Sequence, residues 1–358
     1  MAIPPNRALL RTNYKPVDSL SQIVLGAAVG EVMLGKRIGN KAQLLGAIAG
    51  TIPDLDIFLT MGSSDPFASL VLHRGYSHSM FVHILLALPF AWLTYRGFKR
   101  NIPFMKWYWF WYLGFFTHTI LDCFTTYGTQ LLLPFTNEQV GFNNIAVVDP
   151  MWTLPFMLFL LICLFIRREK PLRFKMAWLG IGWAVLYLGF TFVNKYRVHE
   201  HFSSELQRQG IAYESLSTTP SIFNNLLWSG IARQGDSLYI AEYSWMQERP
   251  SVIWHAYPCN TQLLEQWGDR RAAEVLLWFA QGMAIAEQVD DELRVYTVKW
   301  GRADFTKTDL RETVPFYWRL YQENGVYNAV EVQPDWGKEE FSDALSKLYN
   351  RMWTAGEY

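Results

Sequence analysis

Thiols, one-sided charge and the common hydrolase signatures are all scarce or missing in this chain. Three cysteines occur in 358 residues, Cys123, Cys163 and Cys259, with no CxxC spacing, which gives no disulfide framework and fixes no redox compartment. There is no HExxH, so a metalloprotease of that type is excluded, and no GxSxG or P-loop supports a serine hydrolase or an ATPase. The 32 Lys and Arg balance the 32 Asp and Glu, so no global field draws the chain to nucleic acid or to acidic lipid. The first sixteen residues hold Arg7, Arg11 and Lys15 but no short apolar core ending in small residues, and no cleavable signal peptide is expected. No internal repeat or low-complexity tract is visible.

Apolar runs are abundant. The hydrophobic content is 51% and the aromatic content 16%, but they divide unevenly along the chain. Six apolar segments lie at about residues 20–35, 42–60, 79–95, 103–121, 151–166 and 176–193, and from Lys195 the sequence reads as water-soluble. Several segments are shorter than the ~20 residues a membrane span needs, and the first two can equally be a re-entrant hairpin. Gly26, Gly30 and Gly35 in the first allow close helix contact. The expected fold is an α-helical membrane bundle of about six apolar helices (residues 1–194) followed by a small soluble α+β domain (residues 195–358).

Within the second part, residues 225–232 and 237–243 read as strands joined by a turn at Gln234-Gly235-Asp236. Residues 263–286 read as a helix, 293–300 and 325–332 as strands, and 338–352 as a last helix with Phe341, Leu345, Leu348 and Tyr349 at helical spacing. Basic residues cluster in three connections, Lys36 to Lys41, Arg96 to Lys106 and Arg167 to Lys175. The positive-inside rule makes these cytoplasmic and the other connections outward-facing. Arg7, Arg11 and Lys15 oppose that assignment if the first segment spans fully.

The chemistry concentrates on the outward side. Asp54 and Asp56 end the second segment, His73 and His78 precede the third, and His118 and Asp122 close the fourth; Asp18 and Asp149 start two others there. A carboxylate at a helix centre in the bilayer costs about 2.5–3.5 kcal/mol, so something must compensate it. Histidine and aspartate on several neighbouring elements form the ligand set of a zinc-type hydrolytic site.

Each residue also has a plainer reading. His118 and Asp122, four apart, share a helix face, and either bind one metal or hydrogen-bond to lock the bundle. Asp54 is the better ligand candidate of its pair; Asp56 either bridges, acts as a base, or ends the helix. His73 and His78 converge if Gly75 turns the loop, and Ser77 can cap the next helix. Arg74 suits a phosphate oxygen, or an ion pair with Asp54 or Asp56. His83 points elsewhere, as a packed histidine. Asp18 is a helix cap or a proton acceptor, and Asp149-Pro150 a helix start.

Asp18-Ser19-Leu20-Ser21-Gln22, Gly50-Thr51-Ile52-Pro53-Asp54-Leu55-Asp56, His73-Arg74-Gly75-Tyr76-Ser77-His78-Ser79 and Thr117-His118 through Leu121-Asp122 resemble the motifs of the YdjM-like family of membrane-bound metal-dependent hydrolases. The resemblance spans roughly residues 18–191. It implies a bacterial inner-membrane protein with a divalent metal and hydrolase activity, and it supplies no substrate. Many members carry His where this chain has Gln22. The ligand style is also similar to that of zinc-dependent phospholipase C.

The expectation is therefore a metal-dependent hydrolase with one or two divalent ions, zinc first, on Asp54, His73, His78, His118 and Asp122. Asp56 or Asp18 would take a proton and Arg74 would hold a phosphate oxygen. The partner would be a membrane lipid or lipid-linked phosphoester rather than nucleic acid, with the C-terminal domain extracytoplasmic. The alternative is a non-catalytic membrane protein, its His/Asp cluster structural and its outer domain binding a partner. A transporter ranks last, because the polar residues gather at one end.

Overall fold

The structure is a computed structural model and describes residues 19–61, 63–247, 252–302, 309–333 and 338–354; Asp18 lies outside the described residues. α1 (Ser19–Ile38) and α2 (Asn40–Thr51) form a hairpin that reverses at Gly39, whose φ of 61° is open to glycine at little cost. A Cβ on Gly26 would run into the Gly46 carbonyl, and one on Gly30 into that of Ala42, so the two backbones touch because these positions are small. Gly35 is different: a Cβ there would strike the Glu31 carboxylate, not α2.

Pro53 cannot donate to the preceding turn, and the chain bends there. It passes through a 3-10 turn (Pro53–Asp56) into α3 (Ile57–Thr60), the Pro53–Thr60 stretch as a whole lying at 41° to α2. α4 (Ala68–Leu72) and a second 3-10 turn (Tyr76–His78) lead to α5 (Met80–Gly97). The cap expected at Ser77 is made by Ser79, whose Oγ accepts from the N–H groups of Phe81 and Val82. α6 (Phe104–Phe124) follows, then α7 (Pro150–Phe165), capped by Asp149 with proline at its start, and α8 (Pro171–Arg208).

Helices thus cover all six apolar segments, but among the described residues only α5 and α8 are long and apolar enough to cross a membrane. The bent pair of α2 with the Pro53–Thr60 segment makes a third if taken as one broken span. α7 has 16 residues and is short for a span; α1 carries Glu31, Lys36 and Arg37. Large apolar side chains stand exposed along the helices, among them Leu85, Trp92 and Leu93 on α5, Leu158 and Phe165 on α7, and Leu186 and Val193 on α8. Such a surface suits hydrocarbon.

The basic connections gather at one end. Arg168 donates to the Arg37 carbonyl, and Asn40 to that of Leu164. Beneath them Arg173 and Glu31, both buried, form a two-pronged ion pair (2.6 Å for each nitrogen), with Gln43 and Asn40 completing the network. The candidate site lies at the opposite ends of α2 and α6.

The C-terminal half is rich in sheet. β1 (Ser215–Pro220), β2 (Leu227–Gln234), β3 (Ser237–Ser244) and β4 (His255–Pro258) form one antiparallel sheet in chain order. α9 (Gln262–Gln266) and α10 (Arg270–Ala280) precede a second, of β5 (Ala284–Val289), β6 (Glu292–Thr297), β7 (Tyr317–Glu323) and β8 (Val326–Val332); α11 (Lys338–Trp353) ends the described chain. Gln234 pairs with Ser237 across a Gly235-Asp236 turn, where the hairpin was expected. The single helix read over 263–286 is instead two helices and a strand, broken at Gly268 (φ 92°) and ended by Gln281 and Gly282, both at positive φ.

The expected boundary at residue 194 falls inside α8, which runs unbroken into the second half. Nearby, Lys195 donates to the carbonyls of Asn143 and Thr218, and Asn225 to that of Asn144. Phe67 and Leu70, ahead of α5, are buried in the C-terminal core with Leu276, Phe279 and Trp318.

Candidate metal centre

Four side chains from three elements converge: Asp54 from the turn after α2, His78 from the turn before α5, and His118 and Asp122 from the last turns of α6. One ligand atom from each lies within 4.8 Å of the others. His78 Nε2 is 3.0 Å from His118 Nε2, 3.1 Å from Asp122 Oδ2 and 3.3 Å from Asp54 Oδ1. His118 Nε2 is 3.3 Å from Asp54 Oδ1 and 3.5 Å from Asp122 Oδ2. Ligands ~2.0–2.1 Å from a tetrahedral ion sit about 3.3 Å apart, so these five separations match edges of such a shell, the sixth, between Asp54 and Asp122, lying within 4.8 Å.

The outer faces of both imidazoles are committed. His118 Nδ1 meets the Gly50 carbonyl at 2.6 Å; a carbonyl only accepts, so Nδ1 carries the hydrogen and Nε2 turns its lone pair inward. His78 Nδ1 lies 2.9 Å from Ser77 Oγ, which itself donates to Asp56 Oδ2 and is therefore left to accept from His78. Two neutral imidazoles would then face each other lone pair to lone pair. A cation between them, a proton or a metal ion, resolves this. Burial alone would lower the pKa of His78, but the carboxylates of Asp122, Asp54 and Asp56 outweigh it and raise it well above the ordinary range. Asp122 Oδ2 is buried with no donor in hydrogen-bond geometry among the described residues. The donor set of two imidazoles and two carboxylates fits a divalent ion.

The remaining expected residues sit one layer out. Asp56 is buried and accepts from His73 Nδ1 (2.8 Å), the Arg74 backbone N–H (3.1 Å) and Ser77 Oγ. His73 is on Asp56, outside the four-residue group. The Arg74 side chain pairs with neither Asp54 nor Asp56: its Nε is 3.3 Å from Asp122 Oδ2, and its Nη1 donates to Thr125 Oγ1 at 2.9 Å. Its φ is 57°, in the left-handed region, held there by the Asp56 contact and by Gln130 N–H on its carbonyl. His83 Nε2 is on the Ser77 carbonyl at 2.7 Å, outside the four-residue group. Asp149 caps α7 and accepts from Tyr187 Oη.

Gln22 was not given a role by spacing. In the structure its Nε2 donates to Asp122 Oδ1 at 2.8 Å and to the His118 carbonyl at 3.3 Å, so α1 orients a ligand on α6. Its place in the Asp18–Gln22 motif was the available signal. Of the four candidate ligands, only Asp54 is substantially open, its side chain 33% exposed against 3% or less for the others.

Helices with apolar exposed faces, closed at one end by a His/Asp group able to hold a metal ion, define a membrane protein with a candidate metal centre. Residues 17–198 of the 358 match the family described as YdjM inner membrane protein, and the chain belongs to that family. It is also similar to the uncharacterized protein YfhP of Bacillus subtilis (strain 168), at 26% identity over 141 residues. That alignment covers 37% of this chain and 42% of YfhP, so the chain spans less than half the length of that relative. No solved structure matches.

Proposed function

We propose that this protein is a metal-dependent hydrolase of the bacterial inner membrane, with one divalent ion, zinc first, held by Asp54, His78, His118 and Asp122. The carrying observation is the 3.0 Å approach of two imidazole nitrogens whose outer nitrogens are already committed as donors. An ion bound there supplies Lewis acidity and makes water a usable nucleophile near neutral pH. The chain's own residues set the geometry. Asp56 fixes His73 directly and His78 through Ser77; Gln22 and Arg74 hold the two sides of Asp122. His73, held on Asp56 through Nδ1, lies outside the four-ligand group, and the reading is a single-ion site.

Asp54 is the open side, where water and substrate would arrive. Leu55, Phe58 and Leu59 beside it are exposed, which favours an amphiphile whose tail stays in hydrocarbon while its phosphoester reaches the site. All six apolar segments would then lie in the bilayer, with the basic end cytoplasmic and the site and C-terminal domain outside.

One observation favours a second reading. Four protein donors are the complement of a closed structural zinc site, whereas catalytic sites keep a position open. Elemental analysis and a lipid phosphoester assay on detergent-purified protein separate the two. Hydrolysis with about one equivalent of zinc, both lost in His118→Ala, supports the enzyme. Zinc without hydrolysis of any lipid phosphoester supports the structural site, and no metal in the wild type leaves a proton between the histidines.

A further inference from the structure

The loop bearing His73, Arg74 and His78 is held from the C-terminal half as well as from the helices. Phe67 and Leu70, each 2% exposed, are anchored in the C-terminal core, and Asp65 pairs with Arg271 of α10. A second contact lies closer to the metal centre. Lys299, just beyond β6, is fully buried and donates to the carbonyls of Tyr127 at 2.7 Å and Phe279 at 2.8 Å. The Tyr127 ring, just after α6, is 5.5 Å from Lys299 Nζ and 4.8 Å from the Arg74 guanidinium, both within cation–π range. The same ring meets His73 edge-on at 5.4 Å. Arg74 in turn pairs with Asp122.

A buried ammonium is expensive unless acceptors surround it, and an apolar side chain would serve if packing were the only need. Burial first, and the Arg74 charge after it, push Lys299 well below its ordinary range. We infer that the C-terminal domain is a working part of the metal centre, with Lys299 a positioning residue that acts through Tyr127 on Arg74 and so on Asp122. This rests on the metal reading given above.

The test is zinc affinity, measured on the full-length detergent-solubilised protein by competition with a chromophoric chelator. The variants are Lys299→Met, Arg74→Met, the double variant, and His118→Ala as the site control. Outer partners of metal ligands typically change affinity 10–100-fold, so Lys299→Met is expected to weaken zinc binding about tenfold. If Lys299 acts through Arg74, adding Lys299→Met to Arg74→Met changes affinity by less than about twofold. A packing role would instead leave zinc affinity at the wild-type value or make the two losses multiply, and either result overturns the inference. Should Lys299→Met fail to fold, Tyr127→Leu keeps the backbone carbonyl for Lys299 while removing the ring, and carries the same two expectations. If His118→Ala loses zinc while the cycle is additive, the inference alone fails. If the wild type binds no more zinc than His118→Ala, the metal reading fails and the inference with it.

Discussion

At Asp56 three donors from three consecutive features of one loop meet a single carboxylate: the His73 ring, the Arg74 backbone and the Ser77 hydroxyl. That concentration explains how a non-glycine residue is kept at φ 57° at Arg74, a conformation that costs roughly 1–2 kcal/mol. Asp56→Asn keeps the size but removes the charge and turns an amide NH2 toward one of those donors. Zinc affinity is expected to fall about 10–100-fold, because His78 loses its brace through Ser77. Stability is expected to fall by about 1–3 kcal/mol, the scale of a buried group left unpaired. Chelator competition and thermal unfolding read the two effects separately; unchanged zinc affinity would remove the orienting role assigned to Asp56.

Among the elements, the α1–α2 hairpin is closed at Gly26 and Gly30, where the two backbones touch, and Gln22 of the same hairpin reaches Asp122 on α6. At its other end the Glu31–Arg173 pair ties α1 to α8, with both side chains 4% exposed or less. Removing one partner leaves a buried charge, and Arg173→Met is expected to destabilise by about 3–5 kcal/mol. Replacing both, as Glu31→Leu with Arg173→Met, is expected to recover most of that loss, since well-packed apolar groups can stand in for a buried pair. Thermal unfolding in detergent measures both, and a double variant as unstable as the single one would show that the pair has a further role.

Across the whole molecule, the two halves share one core where Phe67 enters the C-terminal domain. Phe67→Ala is therefore expected to destabilise that domain by about 3–5 kcal/mol although residue 67 belongs to the helical half. Denaturant unfolding followed by tryptophan fluorescence checks this; an unchanged midpoint would mean that the halves fold independently. Lys299 adds a pH signature. Its folded pKa is depressed by burial, so the unfolded chain binds the extra proton between that value and about 10.4, and stability rises with pH across the window. The Lys299→Met protein should lack this part of the slope, which melting temperatures at stepped alkaline pH would show as a difference from wild type.

Legible in the sequence alone were a helical, apolar first part followed by a part containing strands, the β2–β3 hairpin, and the motifs from which Asp54, His78, His118 and Asp122 come. These are local signals: hydropathy runs, turn glycines, and a pair four apart on one helix face. It overran α10 because helical spacing continues past Gln281, where only backbone conformation ends the helix. It did not read β1, β4, β5 or β7. Packing sets His73 toward Asp56 and His78 inward, since residues five apart in a loop have no fixed relative direction until Gly75 and the surrounding donors set it. The same holds for Gln22, Arg74 and Lys299. Their partners lie 100, 48 and 172 positions away, a distance that chain packing closes and spacing does not encode.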